Sequence, residues 1–168
     1  MAVKQKASTS SVPDASNMKI GIAVAEWNEP ITGSLHEGCL QTLRDQNVKD
    51  NNIESIHVPG SFELPAGAQF LGRNKDIDAV ICLGCVIKGE TRHDEYINHA
   101  VANALMNLTR EFNMPFIFGV LTTENEEQAK ARAGGEKGNK GAESAEAAIK
   151  MVGLQQSFKH YSGGNLGF

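Results

Sequence analysis

Apolar positions along the chain follow two kinds of pattern. Short, nearly continuous apolar runs are typical of strands that are covered on both faces of a sheet. Longer segments with an apolar residue every three or four positions are typical of amphipathic helices. The runs predict strands at residues 18–25, 53–58, 77–87 and 116–121. The periodic segments predict helices at residues 31–47, 62–71, 93–112, 125–131 and 142–158.

Strands and helices therefore alternate from residue 18 onwards. This alternation predicts an α/β fold with a parallel sheet, right-handed crossovers and helices on both faces. The chain of 168 residues shows no internal repeat or linker, and its length is close to that of one ordinary domain. We therefore predict a single domain over residues 18–168. Residues 1–17 are polar and serine-rich without periodicity, which indicates a flexible N-terminal arm.

Composition narrows the range of partners. The formal net charge of −4 argues against a generally basic nucleic-acid binder. The longest apolar run is far shorter than the ~20 residues that cross a bilayer, and the N-terminus has no apolar signal region. We therefore expect a cytoplasmic protein that binds neither nucleic acid nor membrane. The three cysteines are too few for a disulfide framework, and Cys82 and Cys85 fall within a predicted buried strand.

Distinctive side chains follow the predicted strands at the end where parallel α/β sheets bind ligands. Trp27 follows the first strand, and Phe62 and Glu63 follow the second. Trp27 is suited to stack on a flat ring, and a place in the core or in an interface is the alternative. An aromatic ring beside a carboxylate and the Ser61 hydroxyl suits a flat ligand with a polyol tail. For Glu63, an ordinary acidic residue in the first turn of a helix is the alternative.

The segment from Gly89 to Asp94 predicts the start of a helix. Thr91 stands three residues before Asp94, which resembles a capping box with Thr91 as the N-cap. Because a helix N-terminus has unpaired N–H groups and a positive dipole end, it can bind a small phosphate ester. A plain capped helix is the alternative. His93 in this first turn can take and return protons near neutral pH, the alternative being a structural histidine.

Arg132 precedes a glycine-rich basic stretch, residues 133–141, which we predict to be a loop. Such a loop can hold a phosphate, and a solvated surface loop is the alternative. The other histidines show no spacing typical of metal ligands, so we expect no metal.

Together these segments resemble the 6,7-dimethyl-8-ribityllumazine synthase family of riboflavin biosynthesis. The motifs that carry the resemblance occur in order over about residues 18–158. They are Trp27-Asn28 with Ile31-Thr32, residues 58–65 (VPGSFELP), residues 83–93 (LGCVIKGETRH), residues 115–125 (PFIFGVLTTEN), and Arg132-Ala133-Gly134 with residues 138–141 (GNKG). The resemblance implies a three-layer α/β/α, flavodoxin-like fold whose four-stranded parallel sheet has the strand order 2-1-3-4.

The resemblance also implies a reaction. Members of the family condense 5-amino-6-ribitylamino-2,4(1H,3H)-pyrimidinedione with 3,4-dihydroxy-2-butanone 4-phosphate to give 6,7-dimethyl-8-ribityllumazine, phosphate and water, without a metal or an organic cofactor. By motif position, His93 is the implied catalytic residue, a proton shuttle for imine formation, phosphate elimination and ring closure. The residues implied to bind the substrates are Trp27, Asn28, Ser61, Phe62, Glu63, Cys85, Val86, Ile87, Glu90, Thr91, Phe118, Arg132 and Lys140.

The implied roles divide these residues between two substrates and two subunits. Trp27 takes the place of an aromatic residue, usually phenylalanine, that stacks on the pyrimidine ring, and main-chain groups at residues 85–87 face that ring. Glu90 and Thr91 meet the phosphate. The residues implied to come from a neighbouring subunit are Phe118, Arg132 and Lys140. Whether Lys137 or Lys140 reaches the ligand stays open.

A homo-oligomer follows from the same resemblance. Family members form pentamers, and many assemble twelve pentamers into a hollow shell. Two alternatives to the enzyme stay open: a flavodoxin-like module that binds a flavin or lumazine without turnover, and a shell-forming protein with a vestigial site. The presence of Thr91, His93 and Arg132 together favours the enzyme, because ring binding alone needs neither a phosphate clamp nor a proton shuttle.

Overall fold

In the computed structural model, which describes residues 12–74 and 76–161, strands and helices alternate as the hydropathy pattern predicts. The strands are β1 (Ile20–Ala25), β2 (Ile53–Val58), β3 (Ala79–Ile87), β4 (Phe116–Thr123), and the short β5 (Ala133–Gly135) and β6 (Gly138–Asn139). The helices are α1 (Glu29–Asp45), α2 (Leu64–Asn74), α3 (His93–Phe112), α4 (Glu126–Arg132) and α5 (Lys140–Tyr161). Strands β1 to β4 form a parallel sheet in the order β2-β1-β3-β4. The predicted α/β class, flavodoxin-like arrangement and strand order are confirmed.

Both faces of the sheet are covered, because successive residues of a strand point to opposite sides. On β3, Ile81 and Leu83 belong to an apolar cluster with α1 and α5. Val80 and Cys82 belong to a second cluster with α2 and α3. Burial on both faces explains the nearly continuous apolar run of this strand, and the two clusters give the predicted three-layer arrangement.

Several element boundaries differ from the prediction by one to three residues, and one element differs in kind. Helix α1 begins at Glu29 rather than at residue 31, because Pro30 fits the first turn of a helix. A 3₁₀ turn at Ser61–Glu63 precedes α2, which therefore begins at Leu64 rather than at residue 62. The predicted loop over residues 133–141 is wrong: β5 and β6 pair there as an antiparallel hairpin that leads directly into α5. Strands this short carry no apolar alternation, so the hydropathy pattern does not reveal them.

The predicted N-terminal arm lies partly outside the described residues, which begin at residue 12. Within the described part, Ala15 is fully buried in the core. A Cβ on Gly153 of α5 would lie 2.4 Å from Cγ of Pro13, so this segment runs close over α5. The packed part of the chain therefore begins before the predicted domain boundary at residue 18. None of the helices described combines the length and the apolar character needed to cross a bilayer.

Candidate active site

A cavity of about 570 Å³ opens at the carboxyl ends of β1, β2 and β3, beside the start of α3. Parallel α/β sheets bind their ligands at this end. Ten of the predicted site residues line it: Trp27, Asn28, Ser61, Phe62, Glu63, Cys85, Val86, Ile87, Thr91 and His93. Gly60, Gly89, Asp94 and Ile97 complete the lining.

Two aromatic rings stand at this cavity because the pairing of β1 with β2 continues past the strand ends. The N–H of Glu26 donates to the carbonyl of Val58 at 2.8 Å, and the N–H of Trp27 donates to the carbonyl of Pro59 at 3.1 Å. Trp27 therefore lies beside the turn that leads into Phe62. The Trp27 side chain is 73% exposed and that of Phe62 is 61% exposed. Rings exposed to this extent at a cavity are available to stack on a flat ligand.

Asn28 fixes the junction between β1 and α1 to the end of β3. Its backbone is left-handed, with φ 62°, a conformation that asparagine tolerates better than most residues. Its side-chain amide donates a hydrogen bond of 2.9 Å to the carbonyl of Cys85. The side chain therefore ties together two of the strand ends that form the cavity.

The end of β3 presents main-chain groups to the cavity because β1 is shorter than β3. The pairing of β1 with β3 ends at Leu83, whereas the pairing with β4 continues to Ile87. The N–H and C=O groups of alternate residues point to opposite sides of a strand. Since the Cys85 carbonyl faces Asn28, the main-chain groups of Cys85 and Ile87 lie on the cavity side, and those of Val86 point toward β4.

The 3₁₀ turn after β2 carries a buried hydroxyl and a carboxylate. Ser61 is only 7% exposed. The carboxylate of Glu63 reaches back over Gly60, since a Cβ on Gly60 would lie 3.1 Å from Oε2 of Glu63. The turn therefore places an acceptor of hydrogen bonds beside the Phe62 ring.

The start of α3 differs from the predicted capping box. Arg92, not Thr91, occupies the N-cap position, and among the described residues no side chain accepts a hydrogen bond there as a cap. The capping-box prediction is therefore wrong: Thr91 lies one residue too early, because the chain leaving β3 reaches helical geometry only at His93. Thr91 lines the cavity instead, and His93 lies beside it as the first residue of the helix.

Four predicted site residues lie away from this cavity in the described chain. Glu90 is exposed in the segment between β3 and α3, and Phe118 on β4 is 38% exposed. Arg132 and Lys140 line a second cavity of about 390 Å³ at the end of β4, together with Lys137. Both cations face Glu143, whose Oε2 lies 3.7 Å from Nη2 of Arg132 and 3.4 Å from Nζ of Lys140. Within a single chain, Arg132 and Lys140 therefore lie at a different cavity from His93.

The cysteines are buried, free thiols rather than a redox pair. Burial raises the pKa of Cys39 and Cys82 to about 12 and that of Cys85 to about 11. Thiols with a raised pKa are poor nucleophiles at neutral pH. Within residues 12–74 and 76–161, no three His, Cys, Asp or Glu side chains are grouped to hold a metal ion.

Four lining residues were not among the predicted site residues: Gly60, Gly89, Asp94 and Ile97. Asp94 and Ile97 are three residues apart on α3, so they lie on one side of the helix. The helical spacing that places Val101 in the core continues to Ile97 and Asp94, and this periodicity is a signal from which both could have been predicted.

Comparison with known proteins agrees with this geometry. The profile of the 6,7-dimethyl-8-ribityllumazine synthase family matches residues 17–156. The chain belongs to the 6,7-dimethyl-8-ribityllumazine synthase family. The predicted family, and with it the predicted enzyme class, a transferase of riboflavin biosynthesis, is confirmed.

Several members of the lumazine synthase family are similar to this chain over most of its length. The 6,7-dimethyl-8-ribityllumazine synthase of Cytophaga hutchinsonii is 52% identical over 141 residues, which cover 84% of this chain and 89% of the relative. That of Parabacteroides distasonis is 53% identical over 142 residues, with the same coverage of 84% and 89%. That of Porphyromonas gingivalis is 47% identical over 146 residues, covering 87% of this chain and 91% of the relative.

Proposed function

We propose that the protein condenses 5-amino-6-ribitylamino-2,4(1H,3H)-pyrimidinedione with 3,4-dihydroxy-2-butanone 4-phosphate to form 6,7-dimethyl-8-ribityllumazine, phosphate and water. One observation carries the proposal. A single cavity gathers Trp27 and Phe62 with Glu63, and also Thr91 and His93 at the start of a long helix. This combination suits a flat ring with a polyol chain on one substrate and a phosphate ester on the other.

The pyrimidinedione is proposed to stack on Trp27. The cavity-side main-chain groups of Cys85 and Ile87 are suited to pair with the polar edge of its ring, as donors and acceptors on a pyrimidine edge require. The ribityl hydroxyls would donate hydrogen bonds to the carboxylate of Glu63. Charge-assisted bonds of this kind are stronger than neutral ones and orient the chain of hydroxyls.

The phosphate ester is proposed to bind between Gly89 and the first turn of α3. Among the described atoms nothing lies within 4 Å of the position that a Cβ on Gly89 would take, so an anion can approach the backbone closely. The first-turn N–H groups and the positive end of the helix favour an anion here. The hydroxyl of Thr91 adds a donor, since it is not used as the helix cap.

His93 is proposed to move the protons of the reaction. The amine of the pyrimidinedione attacks the ketone and water leaves, which gives an imine. Loss of a proton and of phosphate then creates a new ketone, and the ribitylamino nitrogen closes the ring with loss of a second water. Each step needs a proton delivered or removed beside the two reactants, and a histidine does this near neutral pH. Holding the reactants together contributes on the order of several kcal/mol more.

The site is proposed to be completed by a neighbouring copy of the chain, within a pentamer that can assemble further into a shell. Arg132 and Lys140 lie at a cavity separate from His93 in one chain, and their charges are the ones that a leaving phosphate needs. Phe118 is partly exposed on β4, an edge strand of the described sheet, and edge strands are commonly covered by another element. We place the enzyme in the cytoplasm, where the free thiols of the chain stay reduced.

Turnover of the two substrates tests this function. The purified protein is mixed with both compounds, and the absorbance of the lumazine is followed alongside the release of phosphate. We expect a rate above that of the spontaneous condensation, with one phosphate released for each lumazine formed. Binding of lumazine or a flavin without any increase in rate would contradict the proposal and leave a non-catalytic binding module.

A further inference from the structure

Lys88 lies between the two cavities. It follows β3 directly, and its neighbours Ile87 and Gly89 line the cavity that holds His93. The Lys88 N–H donates to the carbonyl of Thr123 at 2.8 Å, and Nζ of Lys88 lies 3.0 Å from Oε2 of Glu124. The N–H of Glu124 donates to Oε1 of Gln128 at 2.9 Å, which fixes the main chain at this position. The main chain of Lys88 therefore borders the cavity of His93, while its ammonium group pairs with a residue next to the second cavity.

Carboxylates flank the proposed phosphate position along the chain. Glu90 precedes Thr91, and Asp94 and Glu95 follow it in the first turn of α3. The pKa of Lys88 is raised, first by its hydrogen bond to Glu124 and further by the charges of Glu124, Asp94 and Glu95. Lys88 is therefore within electrostatic reach of two of the acidic groups that a phosphate ester has to approach.

The ion pair itself contributes little to stability. Its side chains are 54% and 66% exposed, and exposed pairs of this kind contribute little to the stability of a fold. A charge beside the path of an anionic substrate acts differently, because it changes the affinity for that anion without a large effect on folding. The position of Lys88 thus matters more for the substrate than for the fold.

We propose that Lys88 is a positioning residue for the phosphate substrate: its positive charge offsets the carboxylates at the start of α3, so that the phosphate ester binds beside Gly89 and Thr91. The inference rests on the proposed function. Because the charge is what acts, the two partners of the ion pair have opposite effects. Lys88 lowers the KM for the phosphate substrate, and Glu124 raises it.

Substitutions of each partner separate this role from a structural one. We expect Lys88→Met to raise the KM for the butanone phosphate by about threefold or more at low salt, an effect that fades as salt screens charges over about 10 Å at 0.1 M. The kcat and the KM for the pyrimidinedione should stay near the wild-type values. Glu124→Gln should lower the KM for the phosphate substrate, and Lys88→Arg should keep the wild-type value.

The exchanged pair, Lys88→Glu with Glu124→Lys, gives the sharpest comparison. It keeps an ion pair but moves the negative charge toward the start of α3, so we expect it to raise the KM for the phosphate substrate more than Lys88→Met does. The matched control is Lys19→Met, because Lys19 forms an exposed pair with Asp76 at the opposite end of the sheet. This control should leave every constant unchanged.

The outcomes are distinguishable from those of the proposed function. A wild type that does not form lumazine contradicts the proposed function itself. If the wild type turns over, an unchanged KM in Lys88→Met overturns the role of Lys88 alone. Two further results also overturn the role of Lys88, because a purely structural ion pair predicts them. One is a wild-type KM in the exchanged pair, and the other is the same rise in KM for Lys88→Met and Glu124→Gln.

Discussion

Gly84 on β3 leaves the space that the side chain of Ser61 occupies. A Cβ on Gly84 would lie 2.5 Å from Oγ of Ser61 and 2.9 Å from Cδ1 of Leu64. The 3₁₀ turn that carries Phe62 and Glu63 therefore packs directly on the central strand of the sheet. The position of the proposed ring and ribityl subsite depends on this close approach.

Replacement of Gly84 by alanine should displace this turn. We expect the free energy of unfolding to fall by about 1–3 kcal/mol, as for other overpacked cores, and the KM for the pyrimidinedione to rise. Gly89→Ala is the matched control, because the space around a Cβ there is open. It should leave the free energy of unfolding unchanged and raise only the KM for the phosphate substrate. Urea unfolding and steady-state kinetics measure both effects, and equal destabilisation by the two alanines would contradict this packing.

The left-handed backbone of Asn28 and its bond to Cys85 can be tested separately. Asn28→Gly keeps the backbone conformation and loses the amide, so the free energy of unfolding should fall by about 1 kcal/mol. Asn28→Ala loses the amide and also strains the backbone, which costs roughly 1–2 kcal/mol more. Urea unfolding of the two variants compares them. If the glycine and alanine variants were equally stable, the left-handed conformation would be ruled out as a source of strain.

The sequence predicts the sheet well because its strands are buried on both faces. The apolar run of β3 and the periodic apolar positions of α3 leave little choice of element type, and the order of the strands follows from the resemblance. The motif positions also identify most of the cavity lining, including Trp27, Glu63 and His93.

Other features depend on tertiary contacts that no local pattern encodes. The β5–β6 hairpin forms from a glycine-rich segment in which Gly134 and Gly138 have φ of 106° and 84°, so its composition resembles that of a loop. The hairpin is held by Asn139, whose Nδ2 donates to the carbonyl of Ser34 at 3.0 Å, a partner distant in sequence. The N-cap of α3 falls at Arg92 because the path of the chain from β3, rather than the residue type, decides where the helix begins.

His93→Gln should separate catalysis from stability. His93 is exposed in the first turn of α3, so the free energy of unfolding should change by no more than about 0.5 kcal/mol. The kcat should fall by about a hundredfold or more, because the proton transfers lose their general acid and base. The rate at saturating concentrations of both substrates, after subtraction of the spontaneous rate, measures this loss of kcat. A kcat close to that of the wild type would remove His93 from the mechanism.

The stability of the fold should fall in mild acid because of His36. Its Nε2 lies 2.9 Å from Oγ of Ser55, and its ring contacts that of His57 at 5.8 Å between centroids. Burial, and then the charges of His57 and Arg44, lower the pKa of His36 from its usual value of 6.5. Above pH 6.5 the His36 ring is largely neutral in both the native and the unfolded chain. As the pH falls through it, the unfolded chain binds the proton more readily than the native one, so the free energy of unfolding decreases.

A variant tests this pH dependence. Between about pH 7 and pH 5, the free energy of unfolding of His36→Gln should fall less steeply with decreasing pH than that of the wild type. The difference in slope corresponds to at most one proton bound on unfolding. His99→Gln, at an exposed position on α3, is the control and should leave the slope unchanged. Urea unfolding across this range gives the slopes. An unaltered slope in His36→Gln would assign the acid sensitivity to other groups.

Mixing two variants, each of which lacks one proposed site residue, tests most directly whether the site is shared between chains. His93→Gln lacks the proposed proton shuttle, and Arg132→Ala lacks the proposed phosphate cation, which lies at a separate cavity of the same chain. The two variants are unfolded together and refolded as a mixture. If each site takes His93 from one chain and Arg132 from its neighbour, the mixture should recover about a quarter of the wild-type rate. Random mixing in a cyclic oligomer gives about a quarter of the interfaces both wild-type residues. A mixture no more active than the two variants refolded apart would contradict a site built from two chains.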